Sequence, residues 1–308
     1  MRVQYRLRNN GDKAMIKLRK SAEIFEKIMS YIFTLCGLLA VIFVLVITLF
    51  LIISGIPAVC EIGITDFLFG TKWAATADPP AYGILPFILT SLYGTLAAIL
   101  IGVPPAIMCA VFIAEMPNKG VASTVRTAVD LLSGIPSVVY GLIGMIIIVP
   151  CVREVFNLPD GANLFSAIIV LAVMILPSVI SVSETALRAV PKEYKEASLA
   201  LGAGKTETIF KVTLPAAKSG ILTAVILGVG RAIGEAMAVM MVSGNVGNMP
   251  KLFSSVRFLT TAVASEMSYA SAGLHREALF SIALVLFIFI MIINLVLNLI
   301  VKRGGRNE

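Results

Sequence analysis

Arg231 and Glu235 stand one helical turn apart inside an otherwise apolar run, and few other residues in this chain have comparable chemical capacity. A guanidinium presents a planar fork that matches two oxygens of a phosphate or a similar oxyanion. In a span that starts near Ala216, Arg231 lies about 22 Å along at 1.5 Å per residue, close to the bilayer centre or just past it. A charge at that depth is costly and normally faces a cavity or a partner. The residues allow two readings. Glu235 holds Arg231 when a path is empty and yields it to an anion, or the two form a permanent pair that ties helices together. Arg before Glu is the less favourable order for a helical staple. Gly228, Gly230 and Gly234 surround the pair, and small residues permit close packing or leave room for a pathway.

A second polar group, Ser133, Gly134, Pro136 and Ser137, opens another apolar segment. Pro136 suits a helix start, and the free N–H groups there could meet an anion or simply mark a boundary. Glu184 and Arg188 close a further span and are read as gate or loop contacts at the membrane interface. Gly204-Lys205-Thr206 imitates the end of a phosphate-binding loop. The glycine required upstream falls on Leu199, however, and no strand precedes it, so nucleotide binding by this chain is not expected. His275 is the only histidine, and Cys36, Cys60, Cys109 and Cys151 are scattered without a CxxC. A zinc or haem site is therefore not expected, and disulfide pairing is not readable from the spacings. A membrane enzyme acting on phosphate-containing lipids would need an acid/base or metal cluster that this sequence lacks. A passive anion channel lined by Arg231 would not.

These groups must be placed by membrane helices. The chain has 308 residues, 58% hydrophobic and 14% charged, with a mean hydropathy of +0.95. Soluble domains carry about 25% charged residues, so large soluble domains are excluded. The pattern predicts an all-α integral membrane protein with six spans, roughly Met29–Ile53, Leu85–Ala114, Leu131–Val149, Phe165–Ala186, Ala216–Ser243 and Leu279–Val301. Pro104-Pro105 should kink the second. The domain layout is an N-terminal segment 1–28, a first span 29–53, an external loop 54–81, a five-span core 82–301 and a tail 302–308. No cleavable signal peptide is evident, because the first apolar run is too long.

Lys and Arg cluster in the N-terminal segment, around Lys119 and Arg126, between Arg188 and Lys218, and at Lys302, Arg303 and Arg306. Only Lys72, Arg153, Lys251, Arg257 and Arg276 lie on the other side. Both termini are therefore expected in the cytoplasm. Bases at the ends of apolar segments suit a lipid membrane and make nucleic acid a poor partner. Ile16, Ala22, Ile24, Phe25 and Ile28, interleaved with Lys17, Arg19, Lys20 and Lys27, predict an interfacial elbow helix. In the external loop, Phe67, Phe69 and Trp73 suit the membrane interface, and Pro79-Pro80 suits a turn.

The connection 190–215 is too polar to span and too apolar for a simple linker. Tyr194, Ala197, Leu199, Ala200 and Leu201 can form a short helix with a small-residue face. Glu196 complements its dipole, and Gly202 or Gly204 can end it in a left-handed conformation. Leu214-Pro215 restarts the chain into the fifth span.

Glu196-Ala197-Ser198, three residues, Gly202, nine residues and Val212-Thr213-Leu214-Pro215 resemble the EAA loop of bacterial ABC importer permeases. The spacing is kept, with Ser198 and Val212 replacing alanine and isoleucine. Two further runs, Ser133-Gly-Ile-Pro-Ser-Val-Val-Tyr-Gly-Leu142 and Gly230-Arg-Ala-Ile-Gly-Glu-Ala-Met-Ala-Val239, resemble phosphate importer permeases. With Met241-Val-Ser-Gly-Asn245 they are similar to the C-type, although Ala236 departs from the usual threonine. The resemblance covers about Tyr82 to Val301. It implies a MetI-like ABC type I permease fold in a bacterial inner or plasma membrane and a non-catalytic role in ATP-driven phosphate import. Implied partners are a homologous A-type permease, two ATPase subunits that bind the ATP, and an external phosphate-binding protein. Glu196, Ala197, Gly202, Leu214 and Pro215 would couple to the ATPase, and Arg231, Glu235, Ser133 and Ser137 would line the path. Sulfate and molybdate importers handle oxyanions of the same shape and remain alternatives.

Overall fold

A computed structural model describes the backbone of residues 2–115 and 118–304, and the side chains of residues 25–299 apart from 116, 117 and 119. The chain divides into two units, residues 1–53 and 54–308. Helix α1 (Arg2–Ile62) contains the first apolar stretch, Phe25–Ile62, and runs through Pro57 well past the expected end at Ile53. The elbow side chains before Phe25 lie outside the described residues, as do those of Lys302, Arg303 and Arg306.

In the second unit, short helix α2 (Ile64–Phe69) is followed by a two-stranded antiparallel ribbon, β1 (Trp73–Ala74) and β2 (Ala81–Tyr82), paired Trp73 to Tyr82. Helix α3 (Leu85–Glu115) continues through Pro104 and Pro105. Helix α4 (Lys119–Gly134) is capped by the Asn118 side chain, which accepts from the Gly120 and Val121 N–H groups. Helix α5 (Ser137–Ile143) continues through a π turn at Gly144–Ile148 into α6 (Val149–Val155). Helix α7 (Leu164–Arg188) is the most buried of the candidate spans. Helix α8 (Lys192–Ala200) leads to α9 (Lys205–Thr208), a π turn at Ile209–Thr213 and α10 (Leu214–Ala216). A bend of 69° separates that group from α11 (Lys218–Gly234). Short helices α12 (Met237–Val242) and α13 (Leu259–Glu266) precede α14 (Leu274–Gly304).

Among the described residues, five helices are long and apolar enough to cross a membrane, and the bent pair around Ala217 makes a sixth when taken as one span. Two expected spans need correction. The third does not start at Leu131, because that residue belongs to α4. Pro136 disfavours helical backbone at the residue before it, and Ile135 is extended at φ −71°, ψ 128°. The apolar crossing is therefore Ser137–Val155. The fifth is not one helix from Ala216 to Ser243, because α11 ends at Gly234 and α12 begins at Met237.

The main core lies where α3 and α11 pack on α7. Ala98, Ala106, Leu171, Ile175, Val179 and Ala224 are among its fully buried members. Glycines set how closely the helices approach. A Cβ at Gly102 would meet the Ala172 carbonyl at 2.8 Å, and one at Gly228 would meet the Val179 side chain at 2.8 Å. A second core, with Phe67, Ile84, Phe87, Leu259, Leu279 and Ile282, joins α2, α3, α13 and α14. A Cβ at Gly141 would sit 2.7 Å from the Ala238 Cα, so α5 and α12 touch backbone to backbone. Gly141→Ala is expected to cost about 1–3 kcal/mol as overpacking, read as a lower thermal midpoint in detergent. Gly37→Ala, where nothing lies within 4 Å, is expected not to lower the midpoint.

Candidate functional site

The polar residues of the fifth span meet at the break between α11 and α12. Arg231 sits in the last turn of α11 and is half-buried. Among the described residues, its side chain makes no hydrogen bond or ion pair. The expected Arg231–Glu235 pairing on one helical face is therefore corrected. Glu235 is extended at φ −74°, ψ 127°, beyond the end of α11, so the one-turn relation to Arg231 is lost. Its carboxylate instead accepts from the Ala238 N–H at 3.0 Å and caps the first turn of α12. Its carbonyl accepts from the Thr260 hydroxyl at 2.8 Å. Both polar ends of Glu235 are thus engaged by protein.

The glycines around Arg231 separate by role. Gly228 is needed where α11 packs on Val179, whereas Gly230 and Gly234 have nothing within 4 Å of where a Cβ would be. The open side of α11 is the side that ends at the break. Ser133 ends up on α4, exposed, and Ser137 is the first residue of α5. Gly134, between them, also faces open space. Tyr140 anchors this turn by donating to the Leu132 carbonyl at 2.7 Å, and Arg231 lies within its electrostatic range. Because α5 packs on α12, the two helix breaks are neighbours.

The second predicted site forms at the other end of α11. Every residue of α8 is at least partly exposed, including Glu196 and Ala197. Gly202 adopts φ +88°, and its N–H donates to the Leu199 carbonyl at 3.0 Å, closing the helix in a left-handed turn. Gly204 stays in the extended region at φ −71°. Leu201 is 90% exposed, and Tyr194 and Leu199 are exposed beside it. Polar bonds on the inner side hold the helix in place. Ser198 and Thr208 hydroxyls meet at 2.9 Å, and Lys195 pairs with Glu115 at the end of α3. Pro215 lies at the turn before the 69° bend, and a cleft of about 620 Å³ opens between Tyr194, Val190, Pro215 and Gly220.

Two carboxylate hubs complete the charge arrangement. Glu184, buried on α7, takes Arg126 from α4 and Arg188 at 2.7 Å, and Arg188 also donates to the Ile113 carbonyl at 3.1 Å. The Glu184 hydrogen bond, above all, holds the Arg126 pKa above its ordinary value. This joins the ends of α3, α4 and α7. The sequence singled out Glu184 and Arg188 but not Arg126, which is distant along the chain. At the opposite end of α7 is a hub that sequence reasoning missed. Glu266, at the end of α13, takes Arg257, both carboxylate oxygens accept from Trp73 Nε1 at 3.1 Å, and His275 Nε2 lies 2.9 Å away. The Trp73 ring meets Tyr82 edge-on and lies tilted against Phe87, with ring centroids 5.6 Å apart in each pair. Burial and then the Glu266 charge raise the Tyr269 pKa, with Arg257 opposing. Glu266 stands among Thr260, Thr261, Ser265 and Ser268, so no apolar context marked it in the sequence.

Residues 102–304 match the family described as binding-protein-dependent transport system inner membrane component. The chain is 38% identical over 289 residues to a probable ABC transporter permease protein, YqgH, of Bacillus subtilis, covering 91% of this chain and 93% of that protein. It is 33% identical over 263 residues to the phosphate transport system permease protein PstC of Pasteurella multocida, covering 79% and 81%. The Haemophilus influenzae protein of the same name is 30% identical over 93% of this chain and 98% of its own length. Among solved structures, a bacterial alginate ABC transporter in complex with a pentasaccharide-bound periplasmic protein gives a TM-score of 0.60 at 17% identity, covering 90% of this chain and 94% of that one. The inward-facing MetNI methionine ABC transporter gives 0.54 at 21% identity over 72% and 94%. These likenesses show a shared fold.

Glu266 and Arg257 are nearly buried, so removing one partner leaves an uncompensated charge. Glu266→Ala is expected to destabilise the protein by about 3–5 kcal/mol, measured as loss of folded protein on detergent thermal challenge.

Proposed function

The chain belongs to the family of binding-protein-dependent transport system inner membrane components, and from that premise we propose that it is the path-forming subunit of an ATP-driven importer of inorganic phosphate. One observation carries the reading: an arginine with no hydrogen-bond or ion-pair partner among the described residues, at a break in an apolar span, with its neighbouring carboxylate already committed to a helix cap. Discontinuous spans with charged or backbone groups at the break are how transporters hold ions in the membrane. The guanidinium fork suits a tetrahedral oxyanion, and Glu235, turned to α12, does not compete for it. Permeases named for phosphate transport at 30–33% identity support phosphate over other oxyanions.

In this reading both termini and α8 are cytoplasmic, and the Glu266 hub faces the external binding protein. A homologous A-type permease completes the path across the open faces of Gly134, Gly230 and Gly234. One of two ATPase subunits receives α8 in a groove, with Tyr194, Leu199 and Leu201 supplying the apolar contact. Glu196 and Ala197 sit on that exposed helix, Gly202 sets its closing turn, and Leu214 and Pro215 carry motion across the bend into α11. The chain supplies binding and orientation, and ATP chemistry resides on the partners.

Arg231→Gln is expected to reduce phosphate uptake by the reconstituted complex to background while the complex still assembles. Loss of assembly would instead make Arg231 structural, and wild-type uptake of sulfate in preference to phosphate would move the substrate to another oxyanion. Uptake that persists without ATPase or binding protein would mark a channel. Glu196→Ala, and Gly202→Ala at its positive φ, are expected to leave insertion intact and uncouple ATP hydrolysis from uptake. Wild-type ATP-driven uptake in both would remove α8 from the coupling role.

A further inference from the structure

The break in the fifth span has a support on an element that the proposed path does not include. Thr260, buried in the first turn of α13, donates its hydroxyl to the Glu235 carbonyl at 2.8 Å. That carbonyl belongs to neither α11 nor α12, so no helical partner satisfies it. The same residue caps α12 with its carboxylate. The orientation of the Glu235 backbone therefore sets two things together, the direction in which α11 ends beside Arg231 and the start of α12.

The donor comes from a firmly held element. At the near end of α13, the Leu259 N–H donates to Ser91 Oγ of α3 at 3.0 Å, and the Phe258 N–H donates to Thr261 Oγ1 at 2.9 Å. The Phe258 ring fills the place of a side chain at Gly94, where a Cβ would approach it to 2.6 Å. At its far end, Glu266 is held by Arg257, Trp73 and His275. Arg257 in turn donates to the Asn245 carbonyl, at 3.0 Å from Nε and 2.8 Å from Nη2, tying down the loop that leaves α12. Thus α13 is fixed at both ends and presents one hydroxyl to the break.

We infer that Thr260 is a positioning residue for anion passage: through the Glu235 carbonyl it holds the broken span in the geometry that leaves Arg231 free for an oxyanion. The inference rests on the oxyanion-importer reading above.

The test compares Thr260→Val, which keeps the shape and removes the hydroxyl, with Thr260→Ser, which keeps the hydroxyl. Both are made in the full complex reconstituted with its ATPase and binding protein. Thr260→Val is expected to raise the KM for phosphate by about tenfold, as for one lost hydrogen bond. Its maximal rate should fall much less, and discrimination against sulfate should weaken. Thr260→Ser is expected to restore KM and discrimination to near wild type. A valine variant with wild-type KM and selectivity would overturn the inference. Equal impairment of valine and serine would overturn it in favour of packing by the methyl group, and loss of assembly in the valine variant would overturn it in favour of a structural role. If the wild-type complex carries sulfate and not phosphate, the phosphate reading alone fails, and the same comparison on sulfate decides the role of Thr260.

Discussion

Peptide groups in an apolar span must find partners inside the protein, because lipid offers none. The fifth span violates helical continuity twice, at the 69° bend near Ala217 and at Glu235–Ala236. Much of the surrounding structure answers that second break. Glu235 caps α12 with its own carboxylate, Thr260 occupies the exposed carbonyl, and α5 packs so closely on α12 that Gly141 has no room for a side chain. The cost of interrupting the helix is offset locally, and the interruption leaves a guanidinium without a protein partner among the described residues.

Charge follows a similar logic at the two ends of α7. A buried carboxylate near each end gathers polar side chains: Glu184 takes Arg126 from α4 and Arg188 from its own helix, and Glu266 takes Arg257 and lies 2.9 Å from His275 Nε2. Buried charges are tolerable when paired and hydrogen-bonded, and once paired they fix where elements sit. The Glu184 hub ties α4, which leads to Ser133 and Ser137, to the end of α7 that precedes α8. The Glu266 hub ties α13, which leads to Thr260, to the β1–β2 ribbon. One arrangement thus leads along α4 toward Ser137 and the other along α13 to Thr260 at the break.

The sequence alone determined the membrane class, the apolar crossings in outline and the identity of the family, because a span needs a long run of apolar residues and the Glu196–Pro215 spacing is a local pattern. It also marked Arg231, since a charge in an apolar run is visible without coordinates. A left-handed turn at Gly202 or Gly204 was legible because glycine tolerates positive φ, and the structure decided for Gly202. Only the tertiary structure decided what Glu235 does. Continuous apolar periodicity hid the end of α11, and the carbonyl that Thr260 satisfies has no sequence signature. Likewise Trp73 is joined to Glu266, and Arg126 to Glu184, by folding alone. Hydrogen bonds and ion pairs form between atoms a few ångströms apart, and chain separation carries no record of that distance.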